Sequence, residues 1–328
     1  MRYVVMGAGA VGGVVGARLH QAGHHVTLIA REGPHLEAIR DRGLRLESPT
    51  GPVTLAIPVV PGPAHVEWSD ETAVLMAVKT QHTAQALGQL ASIAPLGSPV
   101  VCLQNGTVNE SMCLRIFPNV YAVSVNCPTS YLQPGVVQAW STPVTGMLDI
   151  GRFPTGIDRT TMAVSDDFAS ATFSSRPDAA IRRWKNRKLI TNLGNAIEAV
   201  CGPAARRGEL GTIVAQEGEA VLGAAGLELA SVQEDLDRRG DLLQLGLIGG
   251  EVRPGGSSWQ SLRRGTGSIE TDYLNGEIVL LGRIYGVPTP ANELLQRLAR
   301  EASAQGSGPG MLSPAEFLAL LEARTELA

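Results

Sequence analysis

The sequence predicts an α/β protein, with an amino-terminal, doubly wound parallel sheet followed by an all-helical carboxy-terminal domain. Apolar runs of strand length alternate with helical segments up to about residue 165. Beyond residue 178 the apolar residues recur with a 3.6-residue period, and β-branched alternation almost disappears. A chain of 328 residues is also long for one core, so we expect two domains, residues 1–170 and 171–328.

The first predicted strand, residues 3–6, runs into a glycine-rich turn of the G-x-G-x-x-G type. A helix and a second strand, residues 25–30, follow the turn, which consists of Gly7, Ala8, Gly9, Ala10, Val11 and Gly12. In this context the first glycine permits a tight turn, the second lets backbone approach a pyrophosphate, and the third allows close helix–strand packing. The helix amino terminus presents free N–H groups to the phosphates. The pattern predicts a Rossmann domain that binds a dinucleotide.

The residues after the second strand bear on which dinucleotide is bound. An NADP site places a cation near the 2′-phosphate, whereas an NAD site places a carboxylate near the ribose 2′-hydroxyl. Arg31 occupies this position, and a guanidinium group suits a phosphate monoester. Glu32 comes next, so a shift of one residue would favour NAD, and a solvated loop cation is the other alternative for Arg31. We predict NADP.

Further elements are predicted in order along the chain. A hairpin around Pro52 pairs residues 44–47 with 53–57, and later strands lie at 72–78, 99–103, 120–125, 136–139 and 147–150. Helices are predicted at 179–199 and 211–227, with two more within 258–286. A last helix follows the linker 306–310, with Ser313 as its cap, Pro314 first and Glu316 third.

Composition argues against several classes of function. Hydrophobic residues make up 44% and charged residues 18% of the chain, and the formal net charge is −4. This balance leaves no basic footprint for nucleic acid or an anionic membrane, and no apolar run reaches membrane-spanning length. The four cysteines show no C-x-x-C spacing, so we expect reduced thiols and no metal site. The first strand leaves no room for a signal peptide, so we expect a cytoplasmic protein.

Polar residues follow two predicted strands of the first domain. Lys79 comes after the strand 72–78, and Asn105 lies in a Gln-Asn-Gly turn after the strand 99–103. A lysine there can reach a cofactor phosphate or ribose, and an asparagine can hold both ribose and substrate. A solvated lysine and an ordinary Asn-Gly turn are the structural alternatives. Because both residues fall on consecutive strand ends, we favour the functional interpretation.

The densest polar cluster of the second domain lies on the predicted helix 179–199. Lys188, Asn192 and Asn195 are spaced i, i+4 and i+7, so they share one helical face. Asparagine is a poor choice for a solvated helix surface, which indicates that these side chains have partners. We predict a functional site at Lys188 and Asn192, and a solvated flank at Lys185 and Arg187.

The histidines also bear on the proton donor. All six lie in the first 82 residues, so the second domain contains none. Reduction of a carbonyl by hydride transfer needs a proton donor, and in this domain the remaining cationic candidate is lysine. His82, three residues after Lys79, is expected to start the next helix.

Ser258 and Glu270 form a second candidate group. Ser258 can donate a hydrogen bond to a carboxylate, and Glu270 is the first carboxylate of a predicted apolar helix. From residue type alone, a helix cap and a first-turn acid that complements the helix dipole are the better interpretations.

The ordered set of motifs resembles the ketopantoate reductase (2-dehydropantoate 2-reductase) family over nearly the whole chain. The matching residues are 7–12, 31, 78–80, 104–106, 188–192, 257–258, 269–276 and 286–292. The resemblance implies an NADP-binding Rossmann domain at 1–170, an all-helical substrate domain at 171–328, and a place in pantothenate biosynthesis.

The resemblance also implies roles on the substrate side. Lys188 would be the proton donor, and Asn192 and Ser258 would hold a 2-oxo acid. Asn195 is assigned to the substrate as well, although the family's second asparagine often falls one position later. On the cofactor side, Asn105 would lie between cofactor and substrate, and the other contacts would come from the glycine-rich turn, Arg31, Lys79 and Glu270.

We therefore expect NADPH-dependent reduction of a small branched 2-oxo acid, with 2-dehydropantoate as the best single candidate. Residues 259–262 and Thr271 depart from the family pattern, which leaves the identity of the acid open. The alternatives are a reductase of another 2-oxo acid, a dehydrogenase that acts on a 3-hydroxy acid or an imine-related substrate, and a non-catalytic NADP-binding regulator. We expect a small-molecule substrate and no nucleic-acid or membrane partner, and the assembly considered is a homodimer.

Overall fold

The structure is a computed structural model that describes residues 1–265 and 267–325. It divides into two compact units, Met1–Lys185 with Ser231–Arg253, and Asn186–Ala230 with the residues from Pro254 onward. The division differs from the predicted boundary at residue 170, because segments 171–185 and 231–253 belong to the first unit.

The strands appear in chain order from the amino terminus. They are β1 (Arg2–Met6), β2 (His25–Ile29), β3 (Leu44–Ser48), β4 (Gly51–Leu55), β5 (Val59–Val60), β6 (Thr72–Met76), β7 (Val100–Cys102), β8 (Val120–Asn126), β9 (Thr129–Gln133), β10 (Val136–Ala139), β11 (Ser141–Pro143), β12 (Gly146–Arg152), β13 (Phe173–Ser174) and β14 (Leu243–Leu245).

The α-helices are numbered in the same way. They are α1 (Ala10–Gln21), α2 (Pro34–Arg42), α3 (Thr83–Ala91), α4 (Asn109–Leu114), α5 (Arg159–Ser170), α6 (Ile181–Cys201), α7 (Glu209–Ala224), α8 (Val232–Arg239), α9 (Ser257–Arg263), α10 (Asn275–Tyr285), α11 (Pro290–Gln305) and α12 (Pro314–Thr325). Short 3₁₀ turns occupy Pro63–His65, Thr80–His82, Pro203–Arg207 and Glu270–Tyr273. Within the described residues, none of the helices combines the length and the apolar character needed to cross a bilayer.

The larger sheet of the first unit has the order β13-β12-β8-β7-β6-β1-β2-β5. Six neighbouring strands run parallel, in the sheet order β5-β2-β1-β6-β7-β8. Strand β12 is antiparallel to β8. The part β5-β2-β1-β6-β7-β8 has the strand order 3-2-1-4-5-6 of a dinucleotide-binding sheet, in which ligands bind beyond the carboxyl ends where the order reverses. That reversal lies between β1 and β6.

Apolar side chains of the larger sheet pack on both of its faces. Val5 and Leu75 belong to a buried cluster with α1 and α5, whereas Val4 and Val74 belong to a second cluster with α3. A sheet buried on both sides needs strands that are almost wholly apolar, as these sequences are. The doubly wound α/β class predicted from the sequence is confirmed.

The predicted hairpin is present, but it belongs to a smaller sheet of order β4-β3-β10-β9. Glu47 pairs with Pro52, so the proline lies within β4 and the turn is formed by the residues before Gly51. The predicted strand at 136–139, which is β10, also pairs in this sheet, parallel to β3.

The segment 231–253 packs with the first unit through β14 and α8. Strand β14 pairs antiparallel with β11. On α8, Arg238 donates to the Asp149 carboxylate of β12, with Nε–Oδ2 and Nη2–Oδ1 distances of 2.8 and 2.6 Å. Both side chains are buried, so this pair joins α8 to the sheet edge.

The second unit is helical. Its apolar core takes residues from α6, α7, α10, α11 and α12, among them Leu193, Val221, Ile278, Leu294 and Phe317. The helices predicted at 179–199 and 211–227 are present as α6 and α7, and α9 and α10 account for the two within 258–286. Ser313 caps α12 as predicted: Glu316 N donates to Ser313 Oγ at 3.2 Å, and Ser313 N donates to Glu316 Oε2 at 2.7 Å.

Candidate active site

The glycine-rich turn lies directly after β1, at the reversal of strand order. Gly7 has φ +108°, and an added Cβ would lie 3.0 Å from atoms of Val78. At Gly12 an added Cβ would lie 2.1 Å from the carbonyl oxygen of Gly7, so no side chain fits there. At Gly9 it would meet no described atom within 4 Å, so protein packing does not explain this glycine. Open backbone at this position is what approach by a pyrophosphate requires.

The turn is held from two directions. The N–H groups of Gly7 and Ala8 both donate to the carbonyl oxygen of Ile29, each at 3.1 Å. His35 Nε2 donates to the Ala8 carbonyl oxygen at 2.8 Å, and its Nδ1 accepts from Gly135 N at 2.9 Å. These two bonds fix the neutral tautomer with hydrogen on Nε2. Burial lowers the pKa of His35, and the bond to Ala8 partly opposes that shift. The predictions from sequence missed this histidine.

Arg31 and Glu32 both follow β2 and are both exposed. Among the described residues, neither side chain has a hydrogen-bond or ion-pair partner. Glu32 lines a groove of about 370 Å³ together with residues 61–65 and with Gln89, Ser92 and Ile93. Both exposed side chains are therefore available to a ligand. The charge of Arg31 favours the 2′-phosphate of NADP, and the charge of Glu32 favours the ribose 2′-hydroxyl of NAD.

Lys79 and Asn105 follow adjacent parallel strands. Lys79 comes after β6 and precedes the 3₁₀ turn Thr80–His82, and Asn105 comes after β7; both side chains are half-buried. His82 N donates to the Lys79 carbonyl oxygen at 2.8 Å, and α3 starts at the next residue, as expected for His82. The glycine-rich turn follows β1, and Arg31 follows β2. The four strands β2, β1, β6 and β7 are neighbours in the sheet, so all of these residues lie beyond the carboxyl ends of adjacent strands.

A buried hydrogen-bond network supports the segment that contains Asn105. Gln104 Nε2 donates to the Val78 carbonyl oxygen and to Thr83 Oγ1, both at 2.8 Å. Asn109 Nδ2 donates to the Asn105 carbonyl oxygen at 3.0 Å. Fully buried polar groups of this kind are costly unless paired, so the network restricts the backbone of residues 104–105.

The predicted solvated flank at Lys185 and Arg187 is wrong. The Lys185 ammonium is buried and forms an ion pair with Glu110. The Arg187 side chain is only 11% exposed, and its guanidinium donates to the Ala230 carbonyl oxygen and to Glu219, both at 2.6 Å. Ile181 and Leu189, one helical turn either side of Lys185, are fully buried. That i, i+4 spacing marks a buried face and is the signal that could have corrected the prediction.

In the second unit, α6 carries Lys188, Asn192 and Asn195. Lys188 is half-buried, and the two asparagines are 4% and 5% exposed. Their helical spacing places them on one face, as predicted. Burial of two asparagines beside a lysine is consistent with a polar site inside an otherwise apolar helix.

The carboxamide of Asn195 has protein partners on both of its atoms. Its Oδ1 accepts from Arg206 Nη1 at 3.0 Å, and its Nδ2 donates to Ser257 Oγ at 3.4 Å. Arg206 also donates to the Thr191 carbonyl oxygen at 3.0 Å. Arg206 had no signal in the sequence, since a cation in a loop is usually solvated.

Glu198, one turn after Asn195, holds the segment before α9. Its Oε1 accepts from Gly256 N at 2.9 Å, and its Oε2 lies 3.4 Å from Arg206 Nη1. Ser258, at the start of α9, is 2% exposed. Together with Asn195 and Arg206, Glu198 links α6 to the residues that carry Ser258.

Glu270 is half-buried and lies in the 3₁₀ turn Glu270–Tyr273, before α10 and not in its first turn. The neighbouring motif residues Asn275 and Asn292 are fully buried. Asn275 Nδ2 donates to Asn292 Oδ1 at 3.0 Å, and Asn292 Nδ2 donates to Glu217 Oε2 at 2.8 Å. Glu217 also accepts from the N–H groups of Ala291 and Asn292, so these residues form the scaffold at the start of α11.

Among the residues described, no cluster of His, Cys, Asp or Glu could hold a metal ion.

Comparison with known proteins agrees with this architecture. The model of the ketopantoate reductase PanE/ApbA family matches residues 3–154, and the model of its carboxy-terminal domain matches residues 180–303. The 2-dehydropantoate 2-reductase of Pyrococcus horikoshii is 28% identical over 327 residues, covering 94% of this chain and 99% of that one. The enzyme of the same name from Halobacterium salinarum is 28% identical, covering 93% and 100%.

Solved structures agree as well. A ketopantoate reductase of the PanE/ApbA family from Ralstonia eutropha has a TM-score of 0.78 and 30% identity, covering 93% of this chain and 99% of that one. A D-mandelate dehydrogenase in complex with NADH and anilino(oxo)acetate has the same TM-score and coverage at 22% identity, which shows a shared fold.

The strand order and the glycine-rich turn define a nucleotide-binding Rossmann protein with a separate helical unit, in the class of nicotinamide-dependent oxidoreductases. The chain belongs to the ketopantoate reductase PanE/ApbA family. It is an oxidoreductase similar to 2-dehydropantoate 2-reductase.

Proposed function

We propose that the protein reduces a small branched 2-oxo acid to the 2-hydroxy acid with NADPH, and that 2-dehydropantoate is the substrate to test first. The observation that carries this proposal is the buried face of α6, where the half-buried Lys188 shares a surface with Asn192 in a unit that has no histidine. The family relationship supports the same reaction class.

The residues of the first unit fit a nicotinamide dinucleotide. The glycine-rich turn is open at Gly9 and would hold the pyrophosphate, as residues 7–12 provide backbone at the amino end of α1. Asn105 and Lys79, at strand ends of this unit, would supply further polar contacts. A cofactor contact by Glu270, in the second unit, is proposed from the family resemblance alone. When bound, the nicotinamide supplies a hydride to the 2-carbonyl carbon.

Arg31 supports NADPH over NADH. It is exposed, it follows the second strand, and a guanidinium forms charge-assisted bonds with a phosphate monoester. Glu32 beside it would repel that phosphate, so the preference depends on Arg31. The D-mandelate dehydrogenase crystallised with NADH makes the opposite choice a real alternative for this fold.

Lys188 is proposed to hold the proton that the reduced carbonyl oxygen takes up, which is general acid catalysis. Asn192 and Ser258 are proposed to bind the carboxylate and carbonyl of the 2-oxo acid, since both are buried polar groups that can donate hydrogen bonds. Asn195 is proposed to contact the acid as well, and its bonds to Arg206 and to Ser257, the residue before Ser258, add a supporting role.

A panel of substrates tests the proposal. NADPH oxidation is followed with 2-dehydropantoate, with linear and aromatic 2-oxo acids, with 3-oxo acids and with imines. Turnover confined to branched 2-oxo acids supports the proposal. Turnover of 3-oxo acids or imines alone, or NADPH binding with no turnover of any compound, would contradict it. The cytoplasmic location and the homodimer stay predictions, to be checked by cell fractionation and by light scattering.

A further inference from the structure

Two buried ion pairs of the first unit take no part in the reaction proposed above. They are Arg238–Asp149, with side chains 4% and 8% exposed, and Lys185–Glu110, with side chains 4% and 1% exposed. Removing two charges from water costs solvation that their attraction does not in general recover, so burial alone is weak evidence for a stabilising role. What each pair touches separates them.

The Lys185 ammonium reaches the end of strand β7. Its Nζ donates to the Gln104 carbonyl oxygen at 2.9 Å and lies 3.5 Å from the Val123 carbonyl oxygen, besides its ion pair with Glu110. The Gln104 carbonyl belongs to the peptide bond that leads into Asn105. A charged donor at this distance forms one of the stronger hydrogen bonds available in a protein interior.

The other side of Asn105 is held as well. The Asn105 carbonyl oxygen accepts from Asn109 Nδ2 at 3.0 Å, and Gly106 then turns the chain with φ +80°. The two carbonyl groups that flank the Asn105 Cα atom are therefore both fixed, one by Lys185 and one by Asn109. Arg238, by comparison, bonds to Asp149 and Ser174.

We propose that Lys185 is a positioning residue, whose buried ammonium, oriented by Glu110, fixes the Gln104 carbonyl and so the backbone that carries Asn105. An effect of Lys185 on catalysis rests on the proposed function, in which Asn105 contacts cofactor and substrate. An effect of Lys185 on the backbone order of residues 104–106 does not depend on that function. Catalysis and backbone order can therefore be measured separately.

The test compares the full-length parent with three variants. Lys185→Met leaves Glu110 as an unpaired buried charge and can fail to fold, so Lys185→Met/Glu110→Gln removes the charge as well. Arg238→Met/Asp149→Asn is the matched control, because it removes a buried ion pair of the same unit elsewhere. Amide hydrogen exchange is measured by mass spectrometry over peptides containing residues 104–106, together with kcat and KM for NADPH-dependent reduction and the thermal midpoint.

In Lys185→Met/Glu110→Gln we expect exchange at 104–106 to accelerate by about tenfold or more. We expect kcat to fall about 100-fold, with a smaller change in KM, as for a displaced catalytic group. The control should lose stability but keep the parent values of kcat and of exchange at 104–106. Unchanged exchange at 104–106 in the Lys185 double variant, or equal acceleration in the control, overturns the proposal. If the parent reduces no 2-oxo acid, the proposed function fails, and the exchange comparison still decides the role of Lys185.

Discussion

His35 Nε2 donates to the carbonyl oxygen of Ala8, across 2.8 Å, within the turn that is proposed to hold the pyrophosphate. The other ring nitrogen accepts from Gly135 N. The neutral ring can make both bonds, but the protonated ring cannot accept from Gly135, because both of its nitrogens then carry hydrogen. The glycine-rich turn is thus tied to an imidazole ring that loses one of its two hydrogen bonds when it is protonated.

Acidification should therefore weaken the first unit. Burial lowers the pKa of His35 in the folded protein below its ordinary value, so between the two pKa values the unfolded chain binds more protons. The stabilisation that neutral His35 contributes to the folded protein is fully present above the pKa of this residue in the unfolded chain. It is lost as the pH falls towards the pKa of His35 in the folded protein. Between about pH 7.5 and about pH 5.5 the free energy of unfolding and the NADPH affinity should both decrease.

His35→Gln should reduce that dependence on pH, because glutamine can still donate to Ala8 but has no titration in this range. His25, exposed on β2, supplies the control: His25→Gln should leave the parent profile unchanged. Urea unfolding and NADPH titration at each pH give both quantities. The same slope in His35→Gln as in the parent would show that another group is responsible.

Arg31 should set the cofactor preference. A charge-assisted contact to the 2′-phosphate contributes about 1.5–3 kcal/mol, so NADPH should bind roughly 10- to 150-fold more tightly than NADH. Arg31→Ala should erase most of this preference and leave the NADH affinity nearly unchanged. Arg40→Ala, an exposed arginine on α2, is the control. Equal affinities of the parent for the two cofactors would rule out the assignment.

Ser258 should contribute to binding of the 2-oxo acid. Loss of one hydrogen bond to a carboxylate costs about 1.5–3 kcal/mol, so Ser258→Ala should raise KM roughly 10- to 150-fold while the Kd for NADPH stays constant. Ser313→Ala removes the cap of α12 and should cost about 1 kcal/mol of stability without changing KM. An unchanged KM in Ser258→Ala would remove this residue from the substrate site.

Arg206 should act on the substrate through Asn195. Arg206→Met removes its bonds to the Asn195 carboxamide and the Thr191 carbonyl, which releases one support of the segment before Ser258. We expect KM for the 2-oxo acid to rise by about tenfold, with the NADPH affinity unchanged. The adjacent Arg207 is exposed, and Arg207→Met should behave as the parent. If both variants match the parent, Asn195 does not depend on Arg206.

Patterns within a few neighbouring residues predicted the glycine-rich turn and the polar face of α6. The turn at residues 7–12 could be predicted because Gly7 and Gly12 satisfy backbone requirements that are independent of the remaining chain. The shared face of Lys188, Asn192 and Asn195 followed from helical spacing in the same way. Segment 231–253 could not be placed, because the bond that joins it to the first unit links Arg238 to Asp149 across 89 positions. A periodic pattern within a segment does not indicate which distant residue will contact it.

The supporting residues of the site were the hardest to predict. The charge of Lys185 predicts a solvated side chain, whereas its spacing from Ile181 and Leu189 indicates the buried face. Its partner Glu110 lies in a short helix far away in the sequence, and a lone glutamate gives no sign of a buried partner. His35 and Arg206 were missed for the same reason. A buried polar group becomes recognisable only when its partner is known.

Lys188 is the proposed proton donor of the reaction, and replacing it tests that role. Lys188→Ala should lower kcat by about 10²–10⁴, the usual range for loss of a general acid, with the NADPH Kd close to the parent value. Arg283→Ala, which removes a cation 70% exposed on α10, is the control and should retain the parent kcat. A parent-like kcat in Lys188→Ala, under conditions where the parent turns over a 2-oxo acid, would contradict lysine acid catalysis.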